Sequence, residues 1–133
     1  MRRLSLASFV DNLQSRGRYF FTKEEVRTAL GVSEAALKLA LIRLSKKGRL
    51  VSPRREFFVI VPLEYKSAGT LPPDWFINEL MKFQEQPYYV GLLSAAALHG
   101  AGHQQPQKFQ VVTNKPLRPI EVGRASIHFF VKK

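Results

Sequence analysis

The stretch "SKKGRLVSPRREFFVIV" covers residues 45–61 and contains five cations within ten consecutive residues. They are Lys46, Lys47, Arg49, Arg54 and Arg55. Ammonium and guanidinium groups at this density are suited to neutralising phosphates. The apolar run at residues 57–61 follows at once and predicts a strand with buried side chains. The pattern indicates a phosphate-binding edge joined to a folded core, and a solvated turn that keeps a sheet edge soluble is the alternative.

The segment before these cations supplies further candidate contacts. Residues 34–48, "EAALKLALIRLSKKG", predict a helix with Ser33 as its N-cap and Gly48 just past its end. A helix laid in the major groove would turn Lys38 and Arg43 towards base edges and its ends towards phosphates. The full set of predicted DNA-contacting residues is Ser33, Lys38, Arg43, Lys46, Lys47, Arg49, Arg54 and Arg55.

Three apolar residues of the same helix have two interpretations. Leu37, Ala40, Leu41 and Leu44 form a stripe that is expected to pack on the preceding helices. Ala35, Leu39 and Ile42 lie off that stripe and could meet the methyl group of thymine. We expect Leu39 and Ile42 to complete the core instead.

Enzymatic chemistry has little support in the sequence. His99 and His103 are four residues apart, but Gly100 and Gly102 interrupt any helix between them, so no metal site is predicted. The acidic residues of the second half are scattered, whereas a nuclease or nucleotidyltransferase would need clustered carboxylates for its metal ions. Ser94 stands without a nucleophile elbow. We therefore predict a protein that is not an enzyme and has no cofactor.

The elements that position the cations are predicted from local signals. Residues 4–15 have apolar side chains at helical spacing, and Thr22 with Glu25 forms a capping box for a second helix that Gly31 closes. Two strands joined by a turn at residues 53–55 follow the third helix. Three helices and a hairpin in this order predict a winged helix-turn-helix DNA-binding domain over residues 1–65.

The second half predicts a small α/β domain over residues 74–133. A linker at residues 66–73 is expected from its Gly, Ser and Pro content. Residues 74–83 and 88–100 predict two helices, and two or three strands are expected after them. The fold class is therefore α+β.

Composition narrows the class of protein. The chain has 133 residues, a formal net charge of +11 and no cysteine, and residues 1–66 hold 14 of its 21 basic groups. This balance favours a nucleic-acid partner. The absence of cysteine excludes disulfides and thiolate metal sites, and no apolar run is long enough to span a bilayer. A cytoplasmic protein with no membrane partner is expected.

The second half resembles a known family. The block "PYYVGLLSAAALHGAGHQQPQKFQVVT", with "FFVIVPLEY" before it and "RPIEVGRASIHFF" after it, is similar to the AbiEi-type antitoxins of bacterial abortive-infection systems. The resemblance implies an antitoxin of a type IV toxin–antitoxin pair that binds double-stranded operator repeats and represses its own operon. It also implies that residues 74–133 begin the domain that counters a nucleotidyltransferase-like toxin, without a stable complex.

Family members usually continue past this point, so the resemblance predicts a truncated form or a short variant. Two further alternatives stay open from the residues alone. One is another winged-helix regulator whose second half binds a partner or forms a homodimer through Trp75, Phe76, Tyr88 and Tyr89. The other is a nuclease-like enzyme, which has only the basic surface in its favour.

Overall fold

The computed structural model describes residues 5–90 and 107–131. The first half contains three helices and a three-stranded sheet: α1 (Leu6–Ser15), β1 (Phe20–Thr22), α2 (Lys23–Leu30), α3 (Glu34–Lys46), β2 (Leu50–Arg54) and β3 (Phe57–Ile60). The second half contains two short 3-10 helices (Leu63–Ala68 and Pro73–Trp75), α4 (Ile77–Phe83), β4 (Tyr88–Val90), β5 (Gln107–Thr113), β6 (Ile120–Val122) and β7 (Ala125–Val131). The fold is α+β, as the sequence predicts.

The helix boundaries of the first half follow the capping chemistry in the sequence. The Thr22 hydroxyl accepts a hydrogen bond from the Glu25 N–H, and the Glu25 carboxylate accepts one from the Thr22 N–H. Gly31 then ends α2 in the left-handed region, with φ +61°. Ser33 caps α3 by accepting from the Ala36 N–H at 3.2 Å. These interactions satisfy backbone groups that a helix end leaves unpaired.

The β2–β3 hairpin differs in detail from the prediction. The turn lies at Arg55 and Glu56, where Glu56 has φ +68°, and not at residues 53–55. Pro53 and Arg54 belong to β2 because a β-bulge between Val51 and Arg54 lengthens that strand. Pro is tolerated there, since a bulge removes the need for its missing N–H. The bulge could not be read from the sequence.

Strand β3 lies between two apolar clusters. It is the central strand of the antiparallel order β1-β3-β2. Phe57 and Val59 are fully buried on one side, and Ile60 is fully buried on the other, under helices α1 to α3. Successive side chains of a strand point to opposite faces. The apolar run at residues 57–61 is therefore explained by burial on both faces of the sheet.

The second half supplies the cover for one face of that sheet. Phe57 and Val59 share a single buried cluster with Leu71, Phe76, Ile77, Leu80, Met81, Phe109, Val111, Ile120, Val122, Ala125 and Ile127. The segment at residues 66–73 takes part in this packing, because Thr70 and Leu71 are buried within it. The two halves thus have a common core, and their division at residues 66–73 stays a proposal.

The second sheet corrects two predictions. Its order is β4-β5-β7-β6, with β5 and β7 parallel and the outer pairs antiparallel. Tyr88–Val90 is a strand paired with β5, so the helix predicted over residues 88–100 does not include these residues. The rest of that helix, together with Ser94, His99 and His103, lies outside the described residues. The described part of the second half contains four strands, where two or three were expected.

Gly69 and Gly123 bring two turns into direct contact. Gly123 has φ +54°, and a Cβ on it would overlap the carbonyl oxygen of Ala68 and lie 2.8 Å from the Cα of Gly69. The Arg124 N–H donates to the same Ala68 carbonyl at 2.8 Å. This contact ties β6 and β7 to the 3-10 helix after the first half.

Gly123→Ala is expected to lower the free energy of unfolding by about 2–4 kcal/mol, since backbone strain and a backbone clash act together. Thermal unfolding followed by circular dichroism measures it. Gly17→Ala is the matched control, because Gly17 has φ +76° but nothing lies within 4 Å of its Cβ position. That change should cost only about 1–2 kcal/mol. Equal costs at the two positions would contradict a role for the close approach.

Candidate nucleic-acid interface

A groove of about 780 Å³ runs between α3 and the β2–β3 hairpin. Leu41, Ile42 and Phe58 supply its apolar lining. Four cations from α2, α3 and the hairpin turn line it as well: Lys23, Lys38, Lys46 and Arg55. Glu34 and Glu56 add two carboxylates, so the lining keeps an excess of positive charge. The groove can accept a polyanion whose apolar or aromatic parts reach the floor.

One of the two carboxylates is already neutralised. Lys23 Nζ lies 2.7 Å from Glu34 Oε1, and 64% of the Glu34 side chain is exposed. The hydrogen bond and the charge of Lys23 lower the pKa of Glu34, so it is ionised at neutral pH. Lys23 was absent from the predicted contacts, because nothing in its local sequence shows that α2 starts beside α3.

The predicted site residues differ in their exposure and in the cavity that they line. Ser33, Lys38, Arg43, Lys46, Lys47 and Arg55 are exposed. Arg49 is partly exposed, and its Nη2 lies 2.7 Å from Asp11 Oδ1. Lys38, Lys46 and Arg55 meet in the groove, whereas Lys47 and Arg49 line a second, smaller cavity of about 380 Å³ beside Lys66. Lys66 was also absent from the predicted contacts, since it follows the hairpin by several residues.

Arg54 does not stand at a solvated tip. Its Nη2 donates to the Arg118 carbonyl at 2.5 Å, and its guanidinium carbon lies 5.6 Å from the centroid of the Phe129 ring. Burial and the nearby charge of Arg118 lower the pKa of Arg54, and its Nε is buried without a hydrogen-bond partner. The bulge turns this side chain towards the second sheet. Arg54 therefore links the hairpin to the segment before β6 and to β7, and Arg55 is the exposed cation of the turn.

The prediction that Leu39 and Ile42 complete the core was wrong. Leu37, Leu41 and Leu44 are buried, as expected, but Leu39 is 55% exposed and Ile42 is 41% exposed. They lie on the side of α3 that faces away from the core. The reason is geometric: only about half of a helix surface can meet a single core, and the stripe of three leucines already fills that half.

Neither a metal centre nor a membrane span is found in the part of the chain that the structure describes. Within residues 5–90 and 107–131, no three His, Asp or Glu side chains are grouped closely enough to hold an ion. No helix in the same ranges is both long enough and apolar enough to cross a bilayer. The prediction that the protein is not an enzyme remains a prediction.

The fold and the site define an α+β protein with a cation-lined groove in its first half and a four-stranded sheet in its second. Residues 89–133, which include most of that sheet, match the family model of the AbiEi antitoxin C-terminal domain. The match confirms the predicted resemblance to the AbiEi-type antitoxins. No curated protein and no solved structure shows a significant match to the chain. The matched domain suggests the antitoxin of a type IV toxin–antitoxin system.

Proposed function

We propose that this protein is a DNA-binding antitoxin that represses its own operon, with residues 1–65 forming a winged helix-turn-helix. The observation that carries the proposal is the groove between α3 and the hairpin, with Lys23, Lys38, Lys46 and Arg55 along it. Helices α2 and α3 are joined by a tight turn at residues 31–33, and a hairpin follows. This is the element order of winged domains that bind duplex DNA.

In this proposal α3 lies in the major groove. Lys38 and Arg43 reach base edges, and Lys46, Lys47 and Arg55 neutralise phosphates. Arg49 joins them by exchanging its surface pair with Asp11 for a phosphate, since such exposed pairs are weak. Ser33 has its hydroxyl oxygen committed to the α3 cap, and its O–H can still donate to a phosphate.

Residues 74–133 are proposed as the beginning of the antitoxicity domain, with residues 66–73 as the connection. The matched antitoxin model supports this assignment. The cognate toxin would be a nucleotidyltransferase-like protein, countered without a stable complex. Co-expression of this chain with such a toxin from a neighbouring reading frame tests the second activity. Growth arrest that this chain fails to relieve would contradict it.

Mobility-shift titration tests DNA binding. The duplex is the region upstream of the gene, and a scrambled duplex of the same length is the control. We expect tighter binding to the upstream duplex at each salt concentration, and a steep loss of affinity for both as salt rises. Equal affinity for the two duplexes across the series would contradict operator recognition.

A single pair of neighbouring substitutions tests the assignment of the hairpin turn. Arg55→Gln should weaken binding to all duplexes and reduce the slope of log K against log salt by about 0.9, because one phosphate contact is lost. Arg54→Gln should leave that slope unchanged and lower the free energy of unfolding by about 1 kcal/mol, through loss of its bond to Arg118. A reduced slope for Arg54→Gln would show that its contact with Arg118 opens on DNA.

A second candidate function is a winged-helix regulator whose second half forms a dimer or binds another protein. Exposed apolar side chains on that half favour it: Trp75 is 49% exposed, Phe83 40% and Phe130 50%. Phe76, in contrast, is buried and fills the core. Light scattering separates the alternatives, since a dimer that Phe130→Ser converts to a monomer would support the second.

A further inference from the structure

The outward side of α3 is apolar along its centre. Ala35, Leu39 and Ile42 are all exposed and follow each other at intervals of four and three residues, so they form one stripe along the helix. The buried leucines lie on the opposite side. A helix face that meets only water is normally polar. This stripe is therefore suited to a contact that the isolated chain does not make.

The charges beside the stripe indicate what kind of partner it meets. Lys38 flanks it on one side and Arg43 on the other, and Lys46 continues it towards the C-terminal end of α3. All three cations are exposed, and none has an ion-pair partner among the described residues. A purely apolar protein surface would leave these charges unpaired. A partner with an apolar line between two rows of negative charge satisfies both features.

The major groove of DNA has this arrangement. Phosphates border the groove on both sides, and the C5-methyl of thymine is the apolar group on its floor. We propose that Leu39 and Ile42 contact thymine methyl groups and make α3 select A·T pairs at the centre of its site. This inference rests on the proposed function, because it assumes that α3 enters the major groove.

The spacing along the helix fits neighbouring base pairs. Three residues advance an α-helix by about 4.5 Å, and base pairs are stacked about 3.4 Å apart. If the helix axis follows the groove, Leu39 and Ile42 reach adjacent base pairs, and Ala35 lies about one turn away. The small side chain of Ala35 lets the start of α3 approach the groove floor closely. Lys38 and Arg43, on either side of the stripe, can then reach acceptor atoms on the edges of neighbouring bases.

Deoxyuridine substitution tests the proposal directly, since uracil lacks the methyl group but pairs as thymine does. The probe is the best-bound duplex selected by this protein from a random library, and its copies carry uracil at one thymine at a time. We expect about a fourfold loss of affinity at one or two central positions, the value for removing one buried methyl group. Leu39→Ala and Ile42→Ala should each abolish the difference between thymine and uracil at one position.

Leu63→Ala is the matched control, because Leu63 is 81% exposed but lies in a 3-10 helix outside the apolar stripe, beside the cavity that Lys47 and Arg49 line. It should keep the full thymine preference. Circular dichroism should show unchanged helix content in all three variants, as their side chains are exposed. If the selected duplex binds but no uracil substitution weakens it, methyl recognition is wrong while DNA binding stands. If no duplex is selected over random DNA, the proposed function itself fails. A dimer that Leu39→Ala dissociates would overturn the proposal by assigning the stripe to self-association.

Discussion

Replacing Phe57 by alanine is expected to lower the free energy of unfolding by about 3–5 kcal/mol, a large part of the stability of a domain this size. The Phe57 ring is fully buried, stacks on Phe20 with centroids 5.8 Å apart and lies 5.5 Å from the Phe83 ring. Its removal leaves a cavity between β3 and the second half. Urea denaturation measures the loss.

The same experiment shows whether the two halves fold together. Because Phe57 belongs to the cluster shared with α4, β5, β6 and β7, we expect a single unfolding transition for both halves at a lower urea midpoint. Phe130→Ala is the control, since its ring is 50% exposed, and it should change the midpoint little. Two separate transitions, with only the first half destabilised, would contradict a common core.

Removing the three cations assigned to phosphates, at the end of α3 and in the hairpin turn, should have the largest effect on DNA binding. For Lys46→Gln/Lys47→Gln/Arg55→Gln we expect affinity for any duplex to fall by about 100-fold or more near 0.1 M salt. The slope of log K against log salt should become shallower by about 2.7, because three counterions are no longer released. Fluorescence anisotropy over a salt series gives both values.

The matched control removes the same charge elsewhere. Arg16, Lys82 and Lys115 are exposed cations that do not line the groove. Arg16→Gln/Lys82→Gln/Lys115→Gln should reduce the long-range attraction slightly and leave most of the salt slope intact. If the two triple variants lose affinity equally, binding depends on net charge alone, and the assignment of the interface to α3 and the hairpin is wrong.

Local chemistry accounts for the parts of the fold that the sequence predicted well. The capping box of Thr22 and Glu25, the Ser33 cap and the left-handed Gly31 each depend on residues a few positions apart. Such signals act within one turn of a helix, so no tertiary contact is needed to interpret them. The positions of α2 and α3, and hence of most candidate site residues, could therefore be predicted.

Non-local packing accounts for the parts that were mispredicted. Tyr88–Val90 became a strand because β5, about twenty residues away, offers it a hydrogen-bonding edge. Apolar residues without a clear period do not distinguish a strand from a buried helix. Helix α4 begins at Ile77, after a 3-10 turn at Pro73–Trp75, whereas a start at residue 74 was expected.

The sequence by itself determined the charge of the protein, the order of its first three helices and the hairpin after them, and the family that its second half resembles. Composition gives the charge, capping residues mark the helices, and a distinctive block of residues carries the resemblance. Only the tertiary structure decided which side chains are exposed and able to contact DNA. Arg54 is held by the Arg118 carbonyl, Lys23 joins the groove from α2, and Leu39 stays exposed. The physical reason is that exposure and pairing depend on which surfaces meet in space, and neighbours in the chain do not specify that.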